Sequence, residues 1–462
     1  MSAAAEAGTV AVVGGGWAGC AAAVTLARAG RRVTLFEQSA TLGGRARRVA
    51  VDAVTVDNGQ HVLVGAYGQT LDLIASVHGA SGTGALLHRL PLTLAPFGTA
   101  ARDAIALRAR RAPAPLNLAA GIVAARGLAW RDRLALIGGF RRLARAGFRC
   151  PPRQTVAECF ADTPRAAMNG IWSPLCLAAL NTPPERASAQ VFANVLRETF
   201  ATHAAASDFL IPATDLSTLF PDAAARWVAA HGGDVRTATT VHAVAATGTN
   251  GVAVRSSRGD ERFACAIVAV GPHQLAATVG PVPGAPGGES ACAPWRAALA
   301  QVSAFVYESI TTAYLAYPAT VRLPAPIARL DDAPGQWVFE RGRALDATRP
   351  GAARSLLAVV ISANGPHDEL DQGTLVAQID AQLRRLAPAV PALGWSRVIA
   401  ERRATYACTP ALARPAAGRI APGLYIAGDY TVAEFPPTLE AATRSGVAAA
   451  RAVDVDLAAQ AR

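Results

Sequence analysis

The stretch that decides the fold is Thr9-Val10-Ala11-Val12-Val13-Gly14-Gly15-Gly16-Trp17-Ala18-Gly19, near the start of the chain. An apolar run leads directly into glycines spaced Gly14-x-Gly16-x-x-Gly19, and mostly small residues follow as far as Ala29. This order predicts a strand, a tight turn and a helix whose first backbone N–H groups can bind a pyrophosphate. Gly14 is expected to make the turn, Gly16 to leave room for phosphate, and Gly19 to let the helix pack on the strand.

A second predicted strand, Arg32 to Phe36, ends in Glu37, which lies 23 positions after Gly14. An acid at that distance accepts hydrogen bonds from the ribose of an adenine dinucleotide and repels a 2′-phosphate. The loop Gly43-Gly44-Arg45 follows, with backbone donors and a guanidinium that is always charged. These residues predict a dinucleotide site, and the second loop favours FAD. The alternative is a glycine turn and a solvated loop in some other α/β protein.

Length and composition limit the class of protein. With 462 residues and 52% apolar composition, the chain can form two or three domains with large cores. All 44 basic residues are arginines, and against 33 acids they give a net charge of +11. Because the arginines are scattered and aromatic residues make up only 6%, we predict no base-stacking platform and no nucleic-acid partner. An anionic membrane surface is the better candidate partner.

Cysteine spacing and hydropathy predict the compartment. The seven cysteines contain no Cys-x-x-Cys pair, so we expect neither a disulfide framework nor a metal site. The chain opens without the basic and apolar regions of a signal peptide. Its longest nearly uncharged run, residues 112–125, is shorter than the about 20 residues that span a bilayer. We therefore expect a cytoplasmic protein, with peripheral contact to the inner face of the plasma membrane as a further expectation.

A polar turn follows the predicted pyrophosphate loop. The segment Val56-Asp57-Asn58-Gly59-Gln60-His61-Val62 has strand-like residues on both sides and its polar groups at the tip. Such a tip can reach into a cofactor site. His61 is therefore a candidate site residue, with a structural histidine as the alternative.

The region from Leu86 to Phe148 alternates apolar stretches with arginines and prolines. Within it, apolar residues and a glycine recur at helical spacing between arginines, at Leu136, Phe140, Leu143 and Gly147. A basic amphipathic helix of this kind can lie on a membrane or cover a lipid tunnel. The alternative is an ordinary surface helix whose apolar face packs on the core.

Further along the chain, apolar runs and turn residues predict the other elements. The predicted helices are 172–180, ended by Asn181 and Pro183-Pro184; 223–231; and 373–386. The predicted strands are 239–244, 252–256, 263–270, 309–316, 336–340 and 355–362. Residues 280–288 are predicted to form a loop. Near the end, a buried strand over 423–427 runs into Gly428-Asp429, and a helix begins around Pro436 and Pro437.

These elements predict an α/β protein with a Rossmann-type FAD-binding domain that is discontinuous in sequence, together with an α+β substrate-binding domain. The FAD-binding domain is expected to comprise residues 1–85, 207–279 and 401–462. Residues 86–206 are expected to form a helical region that faces the substrate or a membrane, and residues 280–400 the sheet and helices of the substrate domain.

The motifs at the two ends of the chain resemble the FAD-dependent amine oxidase and phytoene desaturase superfamily. Three further segments, Asp57 to His61, Pro174 to Pro184 and Ala404 to Pro410, resemble its squalene-associated branch. The resemblance implies FAD contacts at Gly14, Gly16, Gly19, Glu37, Gly44, Arg45, Val241, Gly428 and Asp429, with Val241 binding adenine through its backbone. Amine oxidases of the superfamily often place a lysine near the flavin, and this chain has none, which argues against an amine substrate.

The resemblance implies an oxidoreductase that removes the hydroxyl of hydroxysqualene, a C30 isoprenoid, to give squalene in hopanoid biosynthesis. His61 is the first candidate proton donor, followed by Tyr430 and Glu434. The sequence shows neither a second nucleotide-binding fold nor a redox cysteine pair, so the electron donor is a separate, unidentified partner. Two alternatives stay open: a carotenoid-type desaturase or isomerase, and a non-catalytic prenyl-binding carrier, against which Glu37 and Arg45 argue.

Overall fold

The structure, a computed structural model, describes residues 8–52, 54–79, 83–98, 104–247, 251–279, 293–318, 320–342 and 355–460. Within them the strands are β1 (Thr9–Val13), β2 (Arg32–Phe36), β3 (Arg48–Val51), β4 (Val54–Asp57), β5 (Leu63–Val64), β6 (Leu87–Leu90), β7 (Thr93–Leu94), β8 (Leu107–Arg108), β9 (Phe209–Pro212), β10 (Asp234–Arg236), β11 (Val241–Ala246), β12 (Val252–Ser256), β13 (Gly259–Phe263), β14 (Cys265–Val268), β15 (Tyr307–Tyr317), β16 (Ile327–Arg329), β17 (Trp337–Glu340), β18 (Ser355–Ser362), β19 (Trp395–Tyr406), β20 (Gly418–Ala421) and β21 (Leu424–Ile426).

The α-helices in the same residues are α1 (Trp17–Arg28), α2 (Gly68–His78), α3 (Thr83–Leu86), α4 (Leu116–Val123), α5 (Trp130–Arg145), α6 (Val156–Cys159), α7 (Arg165–Ala167), α8 (Ser173–Leu180), α9 (Ala189–Phe200), α10 (Leu216–Leu219), α11 (Pro221–Ala230), α12 (Leu275–Thr278), α13 (Ala293–Ser303), α14 (Gln372–Leu386) and α15 (Leu439–Gln460). Short 3₁₀ turns cover Ala204–Ser207, Pro272–Gln274, Pro366–Glu369 and Asp429–Thr431, and a π turn covers Met168–Trp172.

A six-stranded sheet combines strands from distant parts of the chain, in the order β10-β2-β1-β14-β21-β20. Its strands are parallel except for the pair β20 and β21. Helices α1 and α15 pack against each other beside it. At their crossing a Cβ on Gly446 would lie 2.1 Å from the carbonyl oxygen of Ala18, so only glycine fits there. The predicted discontinuous Rossmann-type fold is confirmed.

A second, antiparallel sheet has the order β16-β17-β18-β15-β19, and α14 packs on one face of it. Leu375, Ile379 and Leu383 of α14 are buried in one core with residues of this sheet. Strand β19 pairs with β15 along its length and runs on to Tyr406. A domain boundary at residue 400 would therefore cut a strand, and the end of β19 is a better place for it.

The predicted strand over residues 263–270 is in fact two strands in different sheets. Strand β13 pairs antiparallel with β12, and β14 then enters the parallel sheet beside β1. Apolarity continues across the change of sheet because Phe263, the last residue of β13, and all of β14 are buried, so the pattern alone hid the break. The predicted loop over 280–288 lies outside the described residues.

Helix α5 is the predicted basic amphipathic helix. Its apolar residues Leu136, Phe140 and Leu143 are buried in the largest core, together with Phe160 and Trp172. This face packs on protein, as the alternative interpretation of the pattern expected. Among the residues that the structure describes, no helix has the length and apolarity needed to cross a bilayer.

Candidate functional site

The first turn of the parallel sheet is shaped by backbone that no side chain can enter. Gly14 has φ +107°, and its N–H donates to the Phe36 carbonyl at 2.8 Å. A Cβ on Gly19 would lie 1.8 Å from the carbonyl oxygen of Gly14. A Cβ on Gly44 would lie 3.2 Å from the Cα of Gly16, and the Gly43 N–H donates to the Gly15 carbonyl at 2.8 Å, so the two predicted pyrophosphate loops contact each other through backbone. Helix α1 begins directly behind this contact.

Glu37 stabilises this turn, and its carboxylate can accept further hydrogen bonds from a ligand. Its side chain is buried, and its two carboxylate oxygens accept from the N–H groups of Gly15 at 2.7 Å and Ser39 at 2.8 Å. Each oxygen keeps a lone pair that can accept from a ribose hydroxyl. The backbone after β10 lies alongside, since Thr239 N–H donates to the Glu37 carbonyl at 2.8 Å. Val241 begins β11 two residues later, in the segment where the adenine contact is predicted.

Arg45 and Asp429, predicted from opposite ends of the chain, form a salt bridge. The Nη2 of Arg45 lies 2.6 Å from Oδ2 of Asp429, and its Nη1 donates to the Ala404 carbonyl at 2.5 Å. Gly428 precedes Asp429, and its N–H donates to Ser445 Oγ in α15 at 2.9 Å. The guanidinium is thus engaged by protein, and a direct contact from Arg45 to pyrophosphate stays a prediction.

Tyr430 provides a buried hydroxyl with no partner. The residue is fully buried, and its Oη has no hydrogen-bond partner among the residues described. Burial, with a further contribution from Asp429, raises the pKa of this phenol, so the hydroxyl keeps its proton. A buried hydroxyl is normally satisfied, and one that is not is available to a ligand. Tyr430 can donate a hydrogen bond or a proton to a bound group.

His61 is half-buried, and one of its ring nitrogens is bonded to backbone. Its Nδ1 lies 2.9 Å from the Gly59 carbonyl oxygen, which can only accept, so Nδ1 carries the hydrogen. Burial lowers the pKa of His61 despite this bond, and the charge of Arg45 lowers it further. The imidazole is therefore neutral at neutral pH, with Nε2 as an acceptor. In this state His61 is suited to accept a hydrogen bond, and its role in proton donation stays a prediction.

Glu434 differs from the other two candidate donors because it is exposed. Its backbone carbonyl accepts from the side-chain amide of Asn194 at 2.8 Å, which fixes the backbone here. His61 is half-buried and Tyr430 fully buried, and the charge of Arg45 lowers the pKa of His61 and opposes the rise in the pKa of Tyr430. Glu434 is exposed, which makes this residue the weakest of the three.

The structure adds residues that the sequence did not single out. The ring of Tyr307 lies 6.2 Å from that of His273, edge to face, and the guanidinium of Arg403 lies 5.9 Å from the Tyr307 ring. The Oη of Tyr307 is a second buried hydroxyl with no partner among the described residues. Because His273 follows the end of β14, beside β1, its position on the sheet edge was a signal that could have been used. Tyr307 gave no such signal.

Two of the motifs that carried the resemblance build the frame of the site. Asp57 and Arg341 form a fully buried ion pair at 2.9 Å, which links β4 to the end of β17. Leu216 N–H also donates to the Asp57 carboxylate, at 2.8 Å. Asn181, in the left-handed region at φ +48°, donates to Thr405 Oγ1 at 2.9 Å. Asp57 and Asn181 thus fasten the helical region and the parallel-sheet unit to the antiparallel sheet.

The comparison with known families decides what this arrangement is. The model of the family described as flavin containing amine oxidoreductase matches residues 17–454. The chain belongs to this family. It is therefore an FAD-dependent oxidoreductase, and the glycines of the two contacting loops and the helix N-terminus behind them suit a bound FAD.

Similar proteins agree with this assignment. The chain is 27% identical over 471 residues to hydroxysqualene dehydroxylase from Rhodopseudomonas palustris (strain ATCC BAA-98 / CGA009), covering 98% of this chain and 99% of the relative. An oxidoreductase from Methanosarcina mazei has a TM-score of 0.68 at 14% identity, covering 95% of this chain and 99% of that one. Cyclohexylamine oxidase from Brevibacterium oxydans IH-35A also has a TM-score of 0.68 at 14% identity, covering 98% and 100%. At these identities the two structures show the fold.

Proposed function

We propose that the protein removes the hydroxyl of hydroxysqualene reductively and gives squalene, as a step of hopanoid biosynthesis. The observation that carries the proposal is the similarity, along the whole chain, to the dehydroxylase of Rhodopseudomonas palustris. The absence of lysine from the sequence separates the chain from the amine oxidases of its superfamily. The interior phenol of Tyr430 supplies the donor that loss of a hydroxyl requires.

The reaction replaces a carbon–oxygen bond by a carbon–hydrogen bond. An alcohol, a hydride and a proton give the hydrocarbon and water, so atoms and charges balance. FAD, when bound and reduced, supplies the hydride. The proposed FAD contacts are the nine residues named from the resemblance, and the electrons reach the flavin from a separate donor protein or diffusible reductant.

The protein's own part is to hold the hydroxyl and protonate it as it leaves. We assign proton donation to Tyr430 Oη, which is protonated, buried and without a hydrogen-bond partner among the residues that the structure describes. His61 Nε2 is the acceptor that can orient the same hydroxyl through its hydrogen, because Nδ1 is occupied by the Gly59 carbonyl. General acid catalysis of this kind contributes about 10²- to 10⁴-fold to a rate.

Binding of such a substrate needs little polar recognition. Burying a CH₂ group gains ~0.8 kcal/mol, so a C30 chain can be held by an apolar channel alone. One hydroxyl then needs one donor and one acceptor to fix its position. Tyr430 and His61 provide these two functions, and this is the chemical reason to expect a single polar point at the reacting end of the substrate.

The test is product analysis under anaerobic conditions. Chemically reduced holoenzyme is mixed with hydroxysqualene. Chromatography measures the squalene formed, and flavin absorbance measures the flavin oxidised. We expect one squalene for each flavin oxidised. If oxidised enzyme instead converts phytoene while hydroxysqualene is untouched, the desaturase or isomerase alternative replaces the proposal. If the purified protein is colourless and binds the substrate without converting it, the prenyl carrier replaces it.

A further inference from the structure

Helices α4 and α5 carry an unusual share of the exposed apolar side chains. Of the large apolar residues that are exposed in the described chain, four lie between positions 116 and 134. They are Leu116, Val123, Trp130 and Leu134, with 61%, 43%, 64% and 66% of their surface exposed. We call these four residues and the arginines among them the α4–α5 surface. Contiguous exposed apolar residues mark an interaction site more often than scattered ones do.

The four side chains belong to one continuous surface. Leu116 and Val123 lie two turns apart on α4, and Trp130 and Leu134 one turn apart on α5. Arg133 joins the two helices, because its Nη1 donates to the Val123 carbonyl at 2.6 Å while its guanidinium lies 4.7 Å from the Trp130 ring. The opposite face of α5 is already used by the core. The exposed apolar face is thus additional to the face that folding requires.

The charge around this surface is of one sign. Residues 104–153 contain eleven arginines and one acid, Asp132. Asp132 is buried, and its Oδ2 accepts from the Ala129 N–H at 3.1 Å at the start of α5. One oxygen of its carboxylate is therefore directed to the helix end, and the other lies 3.8 Å from the Nε of Arg131. The other ten arginines of this segment form no ion pair with an acid of the same segment in the part of the chain that the structure describes. Apolar side chains set among arginines are typical of helices that lie in the headgroup region of an anionic bilayer.

A groove of about 820 Å³ adjoins α4 and has the same two properties. Its walls include Leu94, Phe97 and Leu323. Four arginines, Arg108, Arg110, Arg126 and Arg322, also line it. Within the residues that the structure describes, none of these guanidinium groups has a hydrogen-bond or ion-pair partner. Apolar walls beside unpaired guanidinium groups match a phosphate that carries acyl chains.

We propose that the α4–α5 surface docks on an anionic lipid bilayer and that the adjoining groove receives a lipid phosphate. This docking proposal rests on the proposed function in one respect. A C30 isoprenoid substrate dissolves in the bilayer, so an enzyme bound to the bilayer surface has direct access to it. Charge and apolar exposure together favour a membrane over a nucleic acid, because phosphodiester backbones contact arginines but do not bury leucine and valine side chains. Soluble phosphate lacks the apolar part that the groove walls would cover.

The test is sedimentation of the holoenzyme with vesicles, without substrate. We expect binding to phosphatidylcholine vesicles that contain phosphatidylglycerol, weak binding to pure phosphatidylcholine, and loss of binding at high salt. Leu134→Asp should weaken binding at least tenfold. Val455→Asp is the matched control, because Val455 on α15 has the same 66% exposure and lies outside the surface, and it should bind as the wild type does.

The groove is tested by removing its charge. Each arginine near an anionic bilayer contributes about 1 kcal/mol, which is about fivefold in affinity. The double variant Arg126→Ala and Arg322→Ala should therefore lose roughly twenty-five-fold. Arg451→Ala, an exposed arginine of α15, serves as its control and should lose nothing. Unchanged flavin absorbance and melting temperature in each variant exclude misfolding as the cause.

Three outcomes overturn the inference. The first is that Leu134→Asp and Val455→Asp weaken vesicle binding equally. The second is that glycerol phosphate, at the concentration of lipid phosphate, displaces the protein from vesicles. The third is that the protein binds duplex DNA through the arginines and independently of Leu134. The two proposals fail separately. Squalene formation in detergent without any vesicle binding would support the proposed dehydroxylation and refute the docking surface. Vesicle binding without turnover would support the docking surface and refute the proposed dehydroxylation.

Discussion

The candidate site has two halves that are built by different means. On the parallel sheet, the space for the cofactor is bounded by backbone, and Gly14, Gly16 and Gly44 contribute by having no side chain. On the antiparallel sheet, the site is bounded by side chains such as Tyr307, whose partners come from distant segments. The first half therefore depends on the absence of side chains at a few glycine positions, and the second on contacts between side chains that are distant in the sequence. Substitutions can test the two halves separately.

The largest effect is expected in the backbone half. Gly16→Val places three extra carbons where the loops of Gly16 and Gly44 meet, at the N-terminus of α1. Because FAD phosphates need close backbone approach there, we expect protein that folds but contains essentially no flavin. The ratio of flavin to protein absorbance measures this. Gly138→Val is the control, since a Cβ at Gly138 meets nothing within 4 Å. Normal flavin content in Gly16→Val would refute the placement of the cofactor.

The next effect lies where the halves join. Asp57→Ala leaves Arg341 buried without its carboxylate, and breaking a buried pair costs about 3–5 kcal/mol. Burial raises the pKa of Asp57 to about 6 even beside Arg341, so the pair is fully formed only above that pH and weakens as the carboxylate is protonated below it. Urea unfolding well above pH 6 measures the loss.

The control for the buried pair is Asp260→Ala, which removes the exposed partner of Arg255. The atoms of that pair are 3.4 Å apart and both side chains are about two-thirds exposed. Exposed pairs contribute about 0–1 kcal/mol. Similar losses in the two variants would show that Asp57 does not fasten the halves together.

On the parallel-sheet side, in the turn that follows β21, Tyr430→Phe removes a hydroxyl and nothing else. We expect normal flavin content, because no cofactor contact is assigned to this hydroxyl, and squalene formation in single turnover slower by about 10²- to 10⁴-fold. Tyr317→Phe is a matched control, as Tyr317 is also fully buried but bonds to Asp380 at 2.9 Å in the antiparallel sheet. Tyr317→Phe should lower the free energy of unfolding and should not change the rate of turnover. An unchanged rate in Tyr430→Phe would remove Tyr430 from the mechanism.

The smallest effect is expected from His61. Its pKa is lowered below 6.5, so its neutral, accepting form persists until the pH falls through that lowered value. Turnover should then decline on the acid side, because protonated Nε2 can no longer accept. Stability should decline in the same direction, starting as the pH falls below 6.5, since the unfolded histidine takes up a proton first. His61→Gln should slow turnover by about tenfold or less and abolish the acid decline. If turnover of the His61→Gln variant still declines at acid pH, a group other than His61 causes the decline.

The two halves also differ in how far the sequence predicted them. The turn from Gly14 to Gly19 and the acid Glu37 could be placed because their geometry depends on neighbours in the chain. The pair Asp57 and Arg341 spans 284 positions, and no local pattern announces it. The tautomer of His61 was missed for the same kind of reason, since it follows from one carbonyl contact that only folding creates. The helix over 172–180 and the strand over 355–362 were placed within a residue because apolarity and turn residues bound them.

The contact of Gly446 with Ala18 has a consequence for biosynthesis. During translation the strand, turn and helix ending at Arg28 leave the ribosome long before the helix that covers them, which begins at Leu439. The nascent chain therefore carries an open nucleotide turn throughout most of its elongation, with the apolar side of its first helix uncovered. We therefore expect the coenzyme to be bound only after the helix that begins at Leu439 has emerged and packed on the first helix.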